Sequence, residues 1–254
     1  MTDNWIFNVL LIGVFVSALI TVVMLFFVDA PYGRHKRAGW GPSIPTRLGW
    51  VVMESPASLL FFYFYFTGEN AFNLACLILL CMWQLHYFHR SFIYPFQIKI
   101  KPGDTSPLLV ILMGSAYCGI NGYLNGTYIS NYATHLNDAW LSDPRFVLGV
   151  ALFCFGYFLN KKSDSILKEL RVQNPGSYQI PYGFGFRYVS MPNYLGEIIT
   201  WVGFALAAWS LAGVSFVIFT MANLVPRAVA NHKWYLQTFT DYPKNRKAVF
   251  PYLL

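Results

Sequence analysis

Two acidic residues stand inside apolar stretches of this sequence, Glu54 in WVVMESPASLL and Glu197 in NYLGEIITW. An ionisable group among such neighbours is expensive in lipid, where it marks function or a water-filled cavity. Tyr87 is a third misfit, set between His86 and His89 in CMWQLHYFHRSFIYP. If Glu54 lies about eight residues into one helix and Tyr87 about seven before the end of the next, ~1.5 Å per residue puts both roughly 10–12 Å deep. Antiparallel neighbours then bring them together. An acid in an apolar site stays protonated, because desolvation penalises the anion. A neutral carboxyl and a phenol can both donate to a substrate carbonyl oxygen and hold charge that develops there. Tyr87 alone would read as an interfacial aromatic; Glu54 at matching depth is what turns it into a candidate.

A second polar set follows a spacing of four. Asn160 and Asp164 are four apart, with Arg171 seven beyond; Asn193 and Glu197 are four apart; Arg227, Asn231 and Tyr235 continue at fours. Each group occupies one helical face. Three such faces meeting make a polar pocket, with Arg171 and Arg227 for phosphates and the amides and carboxyls for ribose or carboxamide groups. Singly the arginines read as headgroup anchors; together they fit a large anionic cofactor. Other motifs subtract. No Walker sequence occurs, and GFGFRY is not the glycine turn of a dinucleotide fold. Five histidines are too few for a di-iron site, so no metal is expected. Cys76, Cys81, Cys118 and Cys154 sit in apolar runs without CxxC spacing and read as small hydrophobes.

The elements that must hold these residues are helices in a membrane. The chain has 254 residues, 56% hydrophobic, 19% aromatic and 11% charged; a soluble domain carries about 25% charged residues. Such a composition cannot cover a water-facing surface, and the length suits one domain spanning 1–254. Hydropathy places spans at roughly 5–28, 46–66, 71–94, 107–133, 146–160, 193–209 and 212–235. The fifth keeps helical spacing until NPG stops it, and SLAG joins the last two. The fold expected is an all-α integral membrane protein of seven transmembrane helices. The net charge of +7 gathers in alternate loops: RHKR, Arg47, Arg90, Lys99, Lys101, Lys161, Lys162, Lys168, Arg171, Arg187, Arg227, Lys233, Lys244, Arg246 and Lys247 fall on one side, while the other receives only Arg145. The positive-inside rule then puts the N-terminus outside and the C-terminus in the cytoplasm. Orientation accounts for the basic residues, so no nucleic-acid partner is expected.

Three strings carry a resemblance over essentially the whole chain: LHYFHRSFIYP, IPYGFGFRYVSMPNYLGEIITWVGFALAAWS and DYPKNRKAVFPYLL. They are similar to the steroid 5α-reductase family, the 3-oxo-5α-steroid 4-dehydrogenases. The resemblance implies a seven-helix, NADPH-dependent reductase of the Δ4 double bond of 3-oxo steroids. It implies that Glu54 and Tyr87 are the catalytic pair at the 3-keto oxygen. It also implies cofactor contacts at Asn160, Asp164, Arg171, Tyr178, Asn193, Glu197, Arg227 and Tyr235, with Tyr32 and Gly33 of APYGRHKR bordering the cofactor. Two departures stand out. Vertebrate members have HHHRFY where this chain has ANHKWY, leaving Asn231 at a histidine position, and Lys101 replaces an arginine, which keeps charge but loses bidentate phosphate contact.

The implied partners are a testosterone- or progesterone-like steroid and the lipid bilayer, with the cofactor site facing the cytoplasm. A bacterial inner membrane and the endoplasmic reticulum both suit the topology. The alternatives are an enoyl or polyprenol reductase on the same scaffold, and an isoprenylcysteine-type methyltransferase using S-adenosylmethionine. Two phosphate-type cations favour a dinucleotide over the latter.

Overall fold

Apolar runs alternate here with breaks rich in Pro, Gly and Asn. The computed structural model, which describes residues 2–27, 39–101 and 103–254, sets a helix on each run. In chain order these are α1 (Trp5–Phe27), α2 (Thr46–Phe66), α3 (Leu74–Phe88), a four-residue α4 (Tyr94–Gln97), α5 (Leu108–Thr127), α6 (Pro144–Gln173), α7 (Pro192–Ala208) and α8 (Leu211–Thr238). Among the described residues, three stretches are long and apolar enough to cross a membrane: Trp5–Phe27, Leu108–Tyr132 and Leu211–Thr238. The structure is therefore mainly helical, and its apolar helices suit a membrane.

Each hydropathy run contains one long helix, with differences at the edges. α6 continues to Gln173 before Asn174, Pro175 and Gly176, as its spacing predicted. The α7–α8 break falls at Trp209 and Ser210. Trp209 adopts the left-handed region (φ 45°, ψ 52°), and the Ser210 hydroxyl accepts from the Gly213 amide. Leu211, Ala212 and Gly213 thus already belong to α8, because a serine cap satisfies the first free amides. The sequence reading also missed a small antiparallel ribbon, β1 (Ser43–Pro45) on β2 (Thr105–Pro107), in register Ser43↔Pro107. Short extended segments before prolines carry no period long enough to recognise. The ribbon ties the start of α2 to the start of α5, helped by Thr46 Oγ1 at 3.0 Å from Ser106 Oγ.

Glycines decide which helices lie close. A Cβ on Gly149, Gly156, Gly196 or Gly203 would strike backbone of the facing helix, at Ala207, Thr200, Asn160 and Phe153 respectively. α6 and α7 therefore meet backbone to backbone, the usual route to tight packing where lipid gives no hydrophobic drive. α1 docks through Phe7, Leu11, Val14 and Ala18, one turn apart, against a cluster with Leu124 and Ala212. Its other face leaves Trp5, Leu19, Phe26 and Phe27 exposed, apolar surface of the kind that lipid covers. At the centre Trp83 stacks on Phe61 at 4.5 Å and donates to the Ala57 carbonyl at 2.8 Å. Trp201 and Phe216 complete this aromatic floor at 4.3 Å.

Candidate active site

Glu54 is buried on α2, a residue past Met53 and one turn beyond Trp50. α5 approaches this stretch closely, since a Cβ on Gly122 would lie 3.0 Å from the Phe61 amide nitrogen. That approach delivers Cys118, whose Sγ is 4.0 Å from Glu54 Oε2. The other carboxyl oxygen, Oε1, accepts from Arg90 Nε at 3.4 Å. Arg90 enters through a change in helix type: after Phe88 the chain continues as a π-turn over His89–Ile93, a widening that often re-aims side chains at functional sites. The guanidinium lies 4.7 Å over the Trp50 ring and 5.3 Å over the Tyr94 ring.

Tyr87 projects from the last turn of α3 into the same interior. Its ring is flanked by Trp83 at 4.9 Å, Trp201 at 5.4 Å and Phe216 at 6.2 Å. Cys118, Glu54, Tyr117 and Glu197 are its electrostatic neighbours. The two residues singled out by depth thus share one buried neighbourhood. His86 lies in the interior rather than at a surface. It is 2% exposed, with its ring edge-on to Trp201 at 4.6 Å. His89 instead meets the Lys161 amine, Nδ1 to Nζ 3.2 Å.

The polar faces of α6 and α7 do meet. Asn160 Nδ2 donates to the Asn193 carbonyl at 2.9 Å, and Asn193 Nδ2 donates to Asp164 Oδ1 at 3.0 Å. Glu197 lies one turn further along α7, half-buried, and both it and Asp164 are within electrostatic reach of Arg90. The polar cluster therefore acts electrostatically on the same Arg90 that contacts Glu54. Two buried amide oxygens in it, Asn160 Oδ1 and Asn193 Oδ1, have no hydrogen-bond partner among the described residues.

The remaining candidates lie further out. Arg227 of α8 donates to Tyr194 OH of α7 at 3.1 Å and to Asn223 Oδ1 at 3.0 Å. Asn231 is buried one turn on, and Tyr235 is buried and stacked on Tyr242 at 5.1 Å. Tyr178 is 42% exposed with its ring 5.1 Å from Trp234, and Arg171 is exposed near the end of α6. Tyr32 and Gly33 lie outside the described residues. Among the described residues, no three His, Cys, Asp or Glu side chains gather as a metal site.

Arg90 and Cys118 were missed by sequence reasoning, which took one as a topology charge and the other as a core hydrophobe. A signal existed for the first. Arg90 follows Tyr87 by three positions and Trp50 precedes Glu54 by four, spacings that put each pair on one face.

Comparison with known proteins shows the family of the chain. The family described as 3-oxo-5-alpha-steroid 4-dehydrogenase matches residues 104–254. Steroid 5-alpha-reductase DET2 of Gossypium hirsutum is 39% identical over 255 residues, covering 99% of each chain. The DET2 protein of Solanum lycopersicum is 41% identical, covering 99% of this chain and 98% of its own. The 3-oxo-5-alpha-steroid 4-dehydrogenase 1 of Homo sapiens is 43% identical over 228 residues, 89% of this chain and 86% of its own. Similarity at that level along nearly the whole length makes this chain an oxidoreductase that belongs to the 3-oxo-5-alpha-steroid 4-dehydrogenase family.

Proposed function

We propose that this chain reduces the Δ4 double bond of 3-oxo-Δ4 steroids to 5α-dihydro products, using NADPH. The observation that carries the reading is the shared burial of Glu54 and Tyr87 beside the amide and carboxyl cluster of α6 and α7. A ketone oxygen seated at the pair would place the rest of an apolar substrate among Trp83, Trp201 and Phe216. The names of the relatives support a steroid as that substrate.

The residues fit NADPH. The unpartnered Oδ1 atoms of Asn160 and Asn193 are acceptors suited to carboxamide N–H groups, since a buried acceptor left unmade costs roughly 1–3 kcal/mol. Asp164 and Glu197 continue that lining, and Arg171, Arg227, Asn231, Tyr178 and Tyr235 would meet the phosphates and adenosine. Tyr32 and Gly33 are proposed to border the same group. When bound, the cofactor supplies the hydride that reaches C5.

The work of the protein lies at the ketone. Tyr87 donates its phenolic proton in a hydrogen bond to the 3-keto oxygen. Glu54, in its protonated form, donates from Oε2, because Arg90 occupies Oε1. A neutral acid beside a guanidinium would be unfavourable in isolation. Here that positive charge is shared, since Glu197 and Asp164 also lie within electrostatic reach of Arg90. Drawing charge onto oxygen makes C5 electrophilic and stabilises the enolate that follows; a proton then reaches C4. Each such donor contributes about 2.7–4 kcal/mol, roughly 10²–10³ in rate. Tyr87→Phe and Glu54→Gln should therefore lose roughly 10²–10³ in turnover of testosterone, followed by product mass spectrometry, and still bind NADPH. Wild-type rates in either variant would overturn the assignment. A thermal shift with S-adenosylmethionine and none with NADPH would favour a methyltransferase.

The same reading takes residues 1–254 as one domain with seven spans, α1–α3 and α5–α8. The N-terminus faces outward and the C-terminus, with the cofactor pocket, faces the cytoplasm. Clustering of lysine and arginine in the alternate loops supports it. A bacterial inner membrane and the endoplasmic reticulum are the membranes it suits.

A further inference from the structure

We propose that Arg90 is a positioning residue for the reaction. It grips Oε1 of Glu54 and so presents Oε2 toward the ketone beside Tyr87. This rests on the assignment of Glu54 and Tyr87 to the ketone oxygen and makes Arg90, so far only the neighbour at Oε1, a determinant of turnover.

The geometry points one way. Arg90 Nε lies 3.4 Å from Oε1, whereas the Cys118 thiol stands 4.0 Å from Oε2. A thiol is a weak donor; the charge-assisted contact is the one able to fix the orientation of the carboxyl. Arg90 is itself held, its guanidinium lying over Trp50 and Tyr94, whose rings meet edge to face at 5.5 Å. Trp50 is one helical turn from Glu54 on α2, so ring, cation and carboxyl form a closed set across two helices. Arg90 follows Tyr87 by three positions, within the π-turn at His89–Ile93, and so lies on the same side of the chain. Glu197 and Asp164, on the side assigned to the cofactor, lie within electrostatic reach of Arg90. Arg90 as a plain counter-charge would matter for folding. As a positioning residue it must matter for turnover, and only while Glu54 is present.

The test is a double-mutant cycle on the full chain purified in detergent, with NADPH and testosterone. Arg90→Met should lower kcat about 10²-fold while steroid KM changes less than about threefold, and Arg90→Lys should recover about tenfold of that. Arg90→Met combined with Glu54→Gln should be no slower than Glu54→Gln alone, because both remove the same oriented donor. Losses that multiply in the double variant would overturn the proposal, as would a kcat for Arg90→Met within about threefold of wild type. Should Arg90→Met fail to fold, the cycle is run with Arg90→Lys, which keeps the charge and loses the planar Nε contact. A fully active Glu54→Gln would overturn the assignment of Glu54 itself, and that result requires no Arg90 variant.

Discussion

Arg145 grips Asp143 with Nε on Oδ1 at 2.9 Å and Nη2 on Oδ2 at 2.8 Å, and the Arg145 amide also donates to Oδ1 at 2.9 Å. These bonds hold the carboxyl below its ordinary 3.8, at about 2, chiefly through the guanidinium hydrogen bond. A depressed folded value favours the anion in the native state. The contribution is present above 3.8 and is lost as pH falls through about 2. Asp143→Asn should flatten the acid limb of thermal midpoint against pH in that window. The effect is small and salt-sensitive, because the pair is exposed to solvent; an unchanged acid limb would contradict it. Glu54 and Tyr87 were legible because an acid and a phenol stand out in apolar sequence. Arg90 was not, because its loop-side position offered a sufficient reason for its charge.

Helix pairing depends on residues too small to attract notice in a hydropathy reading. Gly196 sits against the backbone of Asn160, and Gly149 against Ala207. A valine at either should destabilise the fold by about 1–3 kcal/mol or more, since the facing atoms are backbone and cannot move aside. Only Gly196→Val should weaken NADPH binding, by more than about tenfold, because it parts Asn160 from Asn193 and their bond at 2.9 Å. Thermal midpoints and NADPH titrations of the two variants separate the effects, and equal affinity losses would argue against this account. Helix existence was readable from long apolar runs, and the end of α6 from Asn174-Pro175-Gly176. The β1–β2 ribbon and the π-turn were not, because neither has a residue pattern of its own.

For the molecule as a whole, orientation is the property most open to measurement. Asp138 and Lys244 are both exposed, in the loop before α6 and in the C-terminal tail. With the chain expressed in the bacterial inner membrane and assayed in spheroplasts, a cysteine at 138 should react with an impermeant maleimide, and one at 244 only after permeabilisation; the reverse labelling would invert the topology. That tail is not a loose end. Residues after α8 pair with the segment before α7, the Ser190 amide donating to the Lys247 carbonyl at 2.8 Å and Met191 to Ala248 at 3.0 Å. Buried Ser190 further bonds His232 and Tyr242, each at 2.6 Å. The sequence alone determined the apolar helices, the spacing of the polar faces and which residues were out of place in lipid, because these depend on residue type and period. Tertiary structure decided that Arg90 and Cys118 flank Glu54, that Asn160 bonds Asn193 and that His86 is core. Those facts depend on how closely two backbones approach, and the approach is fixed jointly by glycines and rings on different helices.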